Sequence, residues 1–149
     1  MGKPTNILVP IDFTAASRNA FKQALRLGRD QSRFILLHVI PPTTEKGRKR
    51  SIMIASARRS LASFAGNGHA RHVRSVRYEV RTGTPFQEIL AAADDKNVEL
   101  IVVGVDTSGP FRGLALGHTA DRISRYARCP VLLVRDGSTP GTDSSSVEC

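Results

Sequence analysis

Asp12 closes a short apolar run, Ile7-Leu8-Val9-Pro10-Ile11. A carboxylate at the carboxyl end of a buried strand is placed to meet a ligand, with Pro10 and Ile11 beside it. The same carboxylate can instead satisfy the turn amides ahead of a following helix. A second group surrounds a Gly-containing loop from about Val105 to Leu116, which follows Leu100-Ile101-Val102-Val103-Gly104. Connections of this kind usually have about 2–6 residues, and longer ones are often functional. The loop ends in Gly117-His118-Thr119 where a helix begins. Gly117 there leaves bare N–H groups at the positive end of a helix dipole, which suits phosphate. Gly104 and Gly117 also read as simple turn glycines, and His118 either touches phosphate or stands exposed on the first turn.

Covalent chemistry has less support. There is no defensible Ser-His-Asp order and no paired carboxylate arrangement. The loop lacks the Gly-Lys-Ser/Thr ending of a Walker loop, so ATP hydrolysis, if any, is expected to be slow. His69 and His72 supply two metal ligands without a third and read as solvated loop residues. Cys129, ahead of Pro130 and an apolar run, reads as a small packed hydrophobe.

The elements that must position these residues alternate. Strands are expected at 7–11, 34–40, 100–104 and 131–134 as continuous apolar runs, with a half-exposed edge strand over 73–81. Ala16, Ala20, Ala24 and Leu27 recur at helical spacing, which predicts a helix over 15–29. A second helix is expected over 52–64, after the basic stretch Lys46-Gly47-Arg48-Lys49-Arg50 and ending near Gly66-Asn67-Gly68. Thr84, Pro85 and Gln87 form a capping-box pattern for a third helix, and Thr119 to Arg128 reads as a fourth. Buried strands separated by helices imply a single α/β doubly wound domain: a parallel sheet with helices on both faces and its ligand site at the carboxyl ends of the strands. The turns after Ile11 and Val39 and the loop after Val103 are then the candidate places.

Composition fits this reading. The chain has 149 residues, 40% hydrophobic and 23% charged, enough for one globular domain over 1–135, with 136–149 as a flexible Ser/Gly/Thr-rich tail. No apolar stretch approaches the roughly 18 residues of a membrane helix. No signal-peptide pattern precedes the first strand and Asn6 stands where a myristoylation motif wants Ser or Thr, so a cytoplasmic location is expected. The two cysteines, Cys129 and Cys149, are expected to be reduced. The net charge of +9 favours anionic ligands without choosing among them.

Asn6-Ile-Leu-Val-Pro-Ile-Asp-Phe-Thr14 resembles the opening strand of the universal stress proteins, and Leu36-Leu-His-Val-Ile-Pro41 resembles their second. Gly83-Thr-Pro85, Leu100-Ile-Val-Val-Gly104 and Cys129-Pro-Val-Leu-Leu-Val-Arg135 continue the pattern in order. The resemblance implies a five-stranded parallel sheet of order 3-2-1-4-5, with a cleft between strands 1 and 4 holding ATP or a related adenine nucleotide, with or without magnesium. The nucleotide-binding pattern in that family is Gly-x-x-Gly, nine residues, then Gly-Ser or Gly-Thr. Here Gly104-Val105-Asp106-Thr107, nine residues and Gly117-His118-Thr119 keep the spacing, while Thr107 replaces a glycine and His118 a hydroxyl residue. The implied nucleotide-site residues are Pro10, Ile11, Asp12, Val39, Val103, Gly104, Val105, Thr107, Gly117, His118 and Thr119, with no catalytic or metal residues. The implied role is regulatory or chaperone-like in a stress response. The resemblance also implies a homodimer, and an open apolar edge at Val131–Val134 agrees with that. The rivals are a dimeric scaffold with an empty cleft, and a basic module in which Arg48, Lys49, Arg50, Arg58 and Arg59 hold nucleic acid or an acidic partner.

Overall fold

Ile7, Leu8 and Val9 are fully buried because their strand is flanked by neighbours on both sides and helices on both faces. A computed structural model describes residues 5–28, 31–66, 75–106, 118–135 and 147–148. In chain order the elements are β1 (Asn6–Pro10), α1 (Ala15–Leu27), β2 (Arg33–Ile40), α2 (Gly47–Ala65), β3 (Ser75–Thr82), α3 (Pro85–Asp95), β4 (Leu100–Val105), α4 (His118–Tyr126), β5 (Val131–Arg135) and β6 (Val147–Glu148). Five strands run parallel in the order β3-β2-β1-β4-β5, with β6 antiparallel outside β5. Alternation along β1 divides the core. Ile7 and Val9 join Phe21, Phe34, Leu61 and Phe64 on the α1/α2 side, while Leu8 joins Ile89, Ile101 and Ile123 on the α3/α4 side.

α1 begins at a formed cap: Thr14 Oγ1 accepts from the Ser17 amide at 3.2 Å. Ala16, Ala20 and Ala24 face the core as their spacing predicts, but Leu27 is exposed and Phe21 fills the stripe instead. The capping box expected at α3 does not form. Thr84 is the N-cap residue and Pro85 opens the helix, yet the Thr84 side chain makes no capping hydrogen bond. α2 starts at Gly47, five residues before the expected start, so the basic run belongs to its first turn. β3 lies at a sheet edge, as its half-exposed pattern predicts.

The expected tail falls largely outside the described residues, with one difference. Val147 and Glu148 lie against Val134 and Leu133, so the outer edge of β5 is not wholly open. Asn67, Gly68, His69 and His72 also lie outside the described residues. No helix among the described residues is long and apolar enough to cross a membrane.

Gly104 is where α1 meets the sheet. A Cβ there would stand 2.4 Å from the Ala16 carbonyl carbon and oxygen and 2.8 Å from the Ser17 nitrogen. These are backbone atoms near the start of a capped helix and cannot swing aside as a side-chain end can. Gly104→Ala is therefore expected to destabilise the fold by about 1–3 kcal/mol, the usual cost of overpacking. In a thermal melt without ligand, a chain of this size loses about 2–4 °C per kcal/mol. An unchanged melting temperature would mean that α1 can move away freely.

Candidate functional site

The parallel order reverses direction at β1, which pairs with β2 on one side and β4 on the other. The connections leaving β1 and β4 diverge there and open a crevice at the carboxyl ends of the strands. A cavity of about 440 Å³ occupies that place. Pro10, Ile11 and Asp12 enter it from the end of β1, Val39 from β2, Val103 and Gly104 from β4, and His118 and Thr119 from the start of α4. These eight of the residues singled out in the sequence line one space although they come from four segments. Val105 does not join them; it is buried in the core on the α3/α4 side. Thr107 and Gly117 lie outside the described residues.

Asp12 serves the turn with one of its oxygens. Oδ1 accepts from the Thr14 amide at 3.1 Å and from the Thr14 hydroxyl. Thr14 in turn caps α1, so the carboxylate helps fix the entry to the helix. Asp12 is exposed and lines the cavity, so the turn does not exhaust what its carboxylate can accept. The two readings of Asp12, as turn acceptor and as ligand acceptor, are therefore compatible. Gly104 has a packing reason for being glycine that the loop pattern did not suggest.

Several lining residues are not evident from spacing. His38 is one: its Nδ1 lies 2.8 Å from the Ile11 carbonyl oxygen. A carbonyl can only accept, so Nδ1 donates this bond and Nε2 is the ring nitrogen left to a ligand. The visible signal was a polar residue interrupting the apolar run of β2 next to Val39. Ser17, Pro85, Ile89 and Asp106 also line the cavity, through the starts of α1 and α3 and the end of β4. Phe13 adjoins the same turn with φ of 65°, a left-handed conformation that bulky residues rarely adopt. Its ring lies 4.7 Å from His38 and 5.7 Å from Phe64, centroid to centroid, which ties the turn to α2.

Cys129 stands apart, beside a hollow of about 210 Å³ lined also by Leu90, Ala93, Val98 and Tyr126. Val98 precedes β4 and Cys129 precedes β5, so this hollow is at the amino ends of the strands, away from the cleft. Burial raises the thiol pKa above its ordinary value; a backbone hydrogen bond partly offsets the rise and the Asp94 carboxylate adds to it.

A doubly wound sheet with a lined cavity at its reversal point is the architecture of a small-ligand-binding α/β domain. The sequence profile of the Universal stress protein family matches residues 4–135, and the chain belongs to that family. A universal stress protein from Mycolicibacterium smegmatis is 30% identical over 140 residues, covering 87% of this chain and 45% of that protein. The chain spans 34% to 45% of the length of five curated relatives that it matches. Among solved structures, a universal stress protein in complex with cAMP superposes with a TM-score of 0.69 at 18% identity, covering 89% of this chain and 98% of that one. A family member from Arabidopsis thaliana with AMP bound superposes with a TM-score of 0.63 at 21% identity, covering 93% and 97%.

The thiol chemistry gives a direct expectation. A raised pKa leaves little thiolate at neutral pH, so Cys129 should react slowly with a thiol reagent at pH 7 and faster as pH rises. Labelling in a Cys149→Ser background isolates it. A rate at pH 7 equal to that of a free cysteine peptide would show that burial does not protect the thiol.

Proposed function

We propose that this universal stress protein binds an adenine nucleotide in the cleft between β1 and β4, as part of a regulatory role in a stress response. The observation that carries the reading is the convergence of Asp12, Val39, Gly104, His118 and Thr119 on one cavity of about 440 Å³. Ligand sites commonly enclose about 300–1,000 Å³, so a mononucleotide suits the space. The cAMP- and AMP-bound relatives share the fold and support the class of ligand.

The donor set also bears on the phosphates. Among the described lining residues there is no Lys or Arg, while Asp12 and Asp106 are carboxylates. Phosphate charge at the start of α4 would be met by helix N–H groups, the helix dipole and Thr119. Two carboxylates beside a phosphate repel it unless a cation intervenes. This favours ATP accompanied by magnesium, or a ligand with fewer phosphates such as AMP or cAMP.

Thermal melts with AMP, cAMP and ATP, the last with and without magnesium, test the proposal. A ligand at about 100 times its Kd adds roughly 2.7 kcal/mol, a rise of about 5–10 °C for a domain of this size. Asp12→Asn keeps an acceptor for Thr14 but removes the charge from the cavity. It should melt near the wild type when empty and lose most of the nucleotide shift. No shift with any nucleotide at millimolar concentration, and none released on heating the purified protein, would favour the scaffold with an empty cleft.

The homodimer through β5 belongs to the same proposal, with a condition set by β6. Val147 and Glu148 occupy the edge opposite Val134 and Leu133, so a strand from a second copy must displace them there. A chain ending at Ser146 should therefore show a larger dimer fraction than the full chain in sedimentation equilibrium at micromolar concentration. Equal fractions would mean that β6 and the second copy do not compete.

A further inference from the structure

The excess positive charge is confined to one part of the chain. Residues 46–78 hold nine Lys and Arg and no Asp or Glu, and the thirteen Lys and Arg elsewhere equal the thirteen Asp and Glu there. The whole formal charge of +9 therefore arises within 33 consecutive residues. The fold keeps much of that stretch at one end of the sheet: α2, and the first part of the edge strand β3 that it packs beside.

Like charges gathered this way repel, and here few have local counterions. Lys49 pairs with Glu45, and Arg50 donates to the Thr82 hydroxyl. Arg48, Arg58, Arg59 and Arg77 are exposed and have no carboxylate partner among the described residues; Arg33, at the start of β2, is the same. Arg33, Arg58 and Arg77 line one hollow of about 300 Å³. The hollow's one carboxylate, Glu79, is engaged by Arg81 and Lys96. Arg48 and Arg59 are eleven residues apart, about three turns, so they share a face of α2 about 16 Å apart.

We infer that α2 and the outer edge of β3 form a surface that holds a nucleic acid by its phosphate backbone. Seven of the nine cations in the stretch are arginine, whose planar fork pairs with phosphate in two-point fashion. The cations follow a track along α2 and across the sheet edge, which matches an extended polyanion rather than a point ligand. A membrane surface fits less well, because it needs a broad outward apolar face. α2 turns Leu61 and Phe64 inward and leaves Ile52 as its exposed large hydrophobic residue. Tyr78 packs partly buried against the core, and no other aromatic residue lies on the described surface of this stretch, so base stacking is not provided for. Recognition is therefore of the backbone and tolerant of sequence. The surface lies beyond β2 from the nucleotide cleft and does not depend on it.

Fluorescence anisotropy with single-stranded RNA, single-stranded DNA and duplex DNA of about 20 nucleotides, at 50 to 200 mM salt, tests this. With about five phosphate contacts, single-strand binding should follow a log–log salt slope near −3.5, a loss of about 100-fold across that range. The RNA and DNA arms show which backbone is preferred; binding of any of them with this slope supports the surface. Arg58→Ala/Arg59→Ala should weaken binding at least 10-fold and reduce the slope by about 1.4. Lys22→Ala/Arg26→Ala removes the same charge from exposed positions of α1 and should cost less than about 2-fold. Equal losses in the two double variants would overturn the surface in favour of net charge alone. Tighter binding of polyglutamate or of phosphatidylserine vesicles would assign the face to a different partner. No binding of any oligonucleotide at 50 mM salt would remove it altogether.

Discussion

The contact of α1 with β4 at Gly104 governs the shape of the ligand end. Helix and strand approach closely enough that the backbone around Ala16 and Ser17 occupies the place of a side chain. That approach brings the start of α1 down onto the sheet beside the turn that carries Asp12. Ser17 then lines the cavity while also capping back to Thr14. A wider separation would leave the Asp12–Thr14 turn without the helix it caps and would open the cavity along one side. The glycine thus acts through packing, whatever ligand the cleft takes.

The sheet distributes different kinds of chemistry to different places. Its centre reverses direction and offers a cavity, because parallel strands bring their carboxyl ends to one side. The edge formed by β3 carries the basic residues, since one side of an edge strand faces outward and tolerates charge. The other edge, at β5, carries consecutive apolar residues whose burial alternates, and takes up β6. Three intervening strands, β2, β1 and β4, hold the two edges apart. A change of surface charge at β3 therefore has no direct route to the packing at β5.

β1, β2, β4 and β5 are legible in the sequence because each reads as a near-continuous apolar run, which burial on both faces requires, and β3 by its half-exposed pattern at the edge. The less legible features depend on tertiary contacts. The first turn of α2 holds Arg48, Lys49 and Arg50, which form no apolar stripe, so hydrophobic spacing begins the helix too late. Thr84 has the residue pattern of a capping box without the hydrogen bond, whereas Thr14 caps α1 without that pattern. The difference lies in Asp12, which accepts from Thr14 and holds it in place. At the cleft, the residues at strand ends follow from fold logic. Ser17, Pro85 and Ile89 line the cavity because three helices begin beside it, and no linear spacing reports that. Gly104 reads equally as a phosphate-loop glycine and as a packing glycine until the helix is in place.

Phe13 shows how that turn is held. The described chain has two non-glycine residues with positive φ, Phe13 and Asn97. Asn97 follows the end of α3, where asparagine commonly ends a helix in this conformation. Phe13 has no such excuse, and a left-handed conformation in a bulky residue costs about 1–3 kcal/mol. Its compensation is visible in the rings it touches. An aromatic pair contributes about 0.5–1.5 kcal/mol beyond the area it buries, and Phe13 contacts both His38 and Phe64. His38 is itself fixed by its hydrogen bond to Ile11, immediately before Asp12. The turn is therefore clamped from both sides of Asp12, by tilted and edge-on ring contacts after it and a ring-to-carbonyl bond before it. A carboxylate held this way is ordered before any ligand arrives, and the strain at Phe13 lies in the turn that holds it.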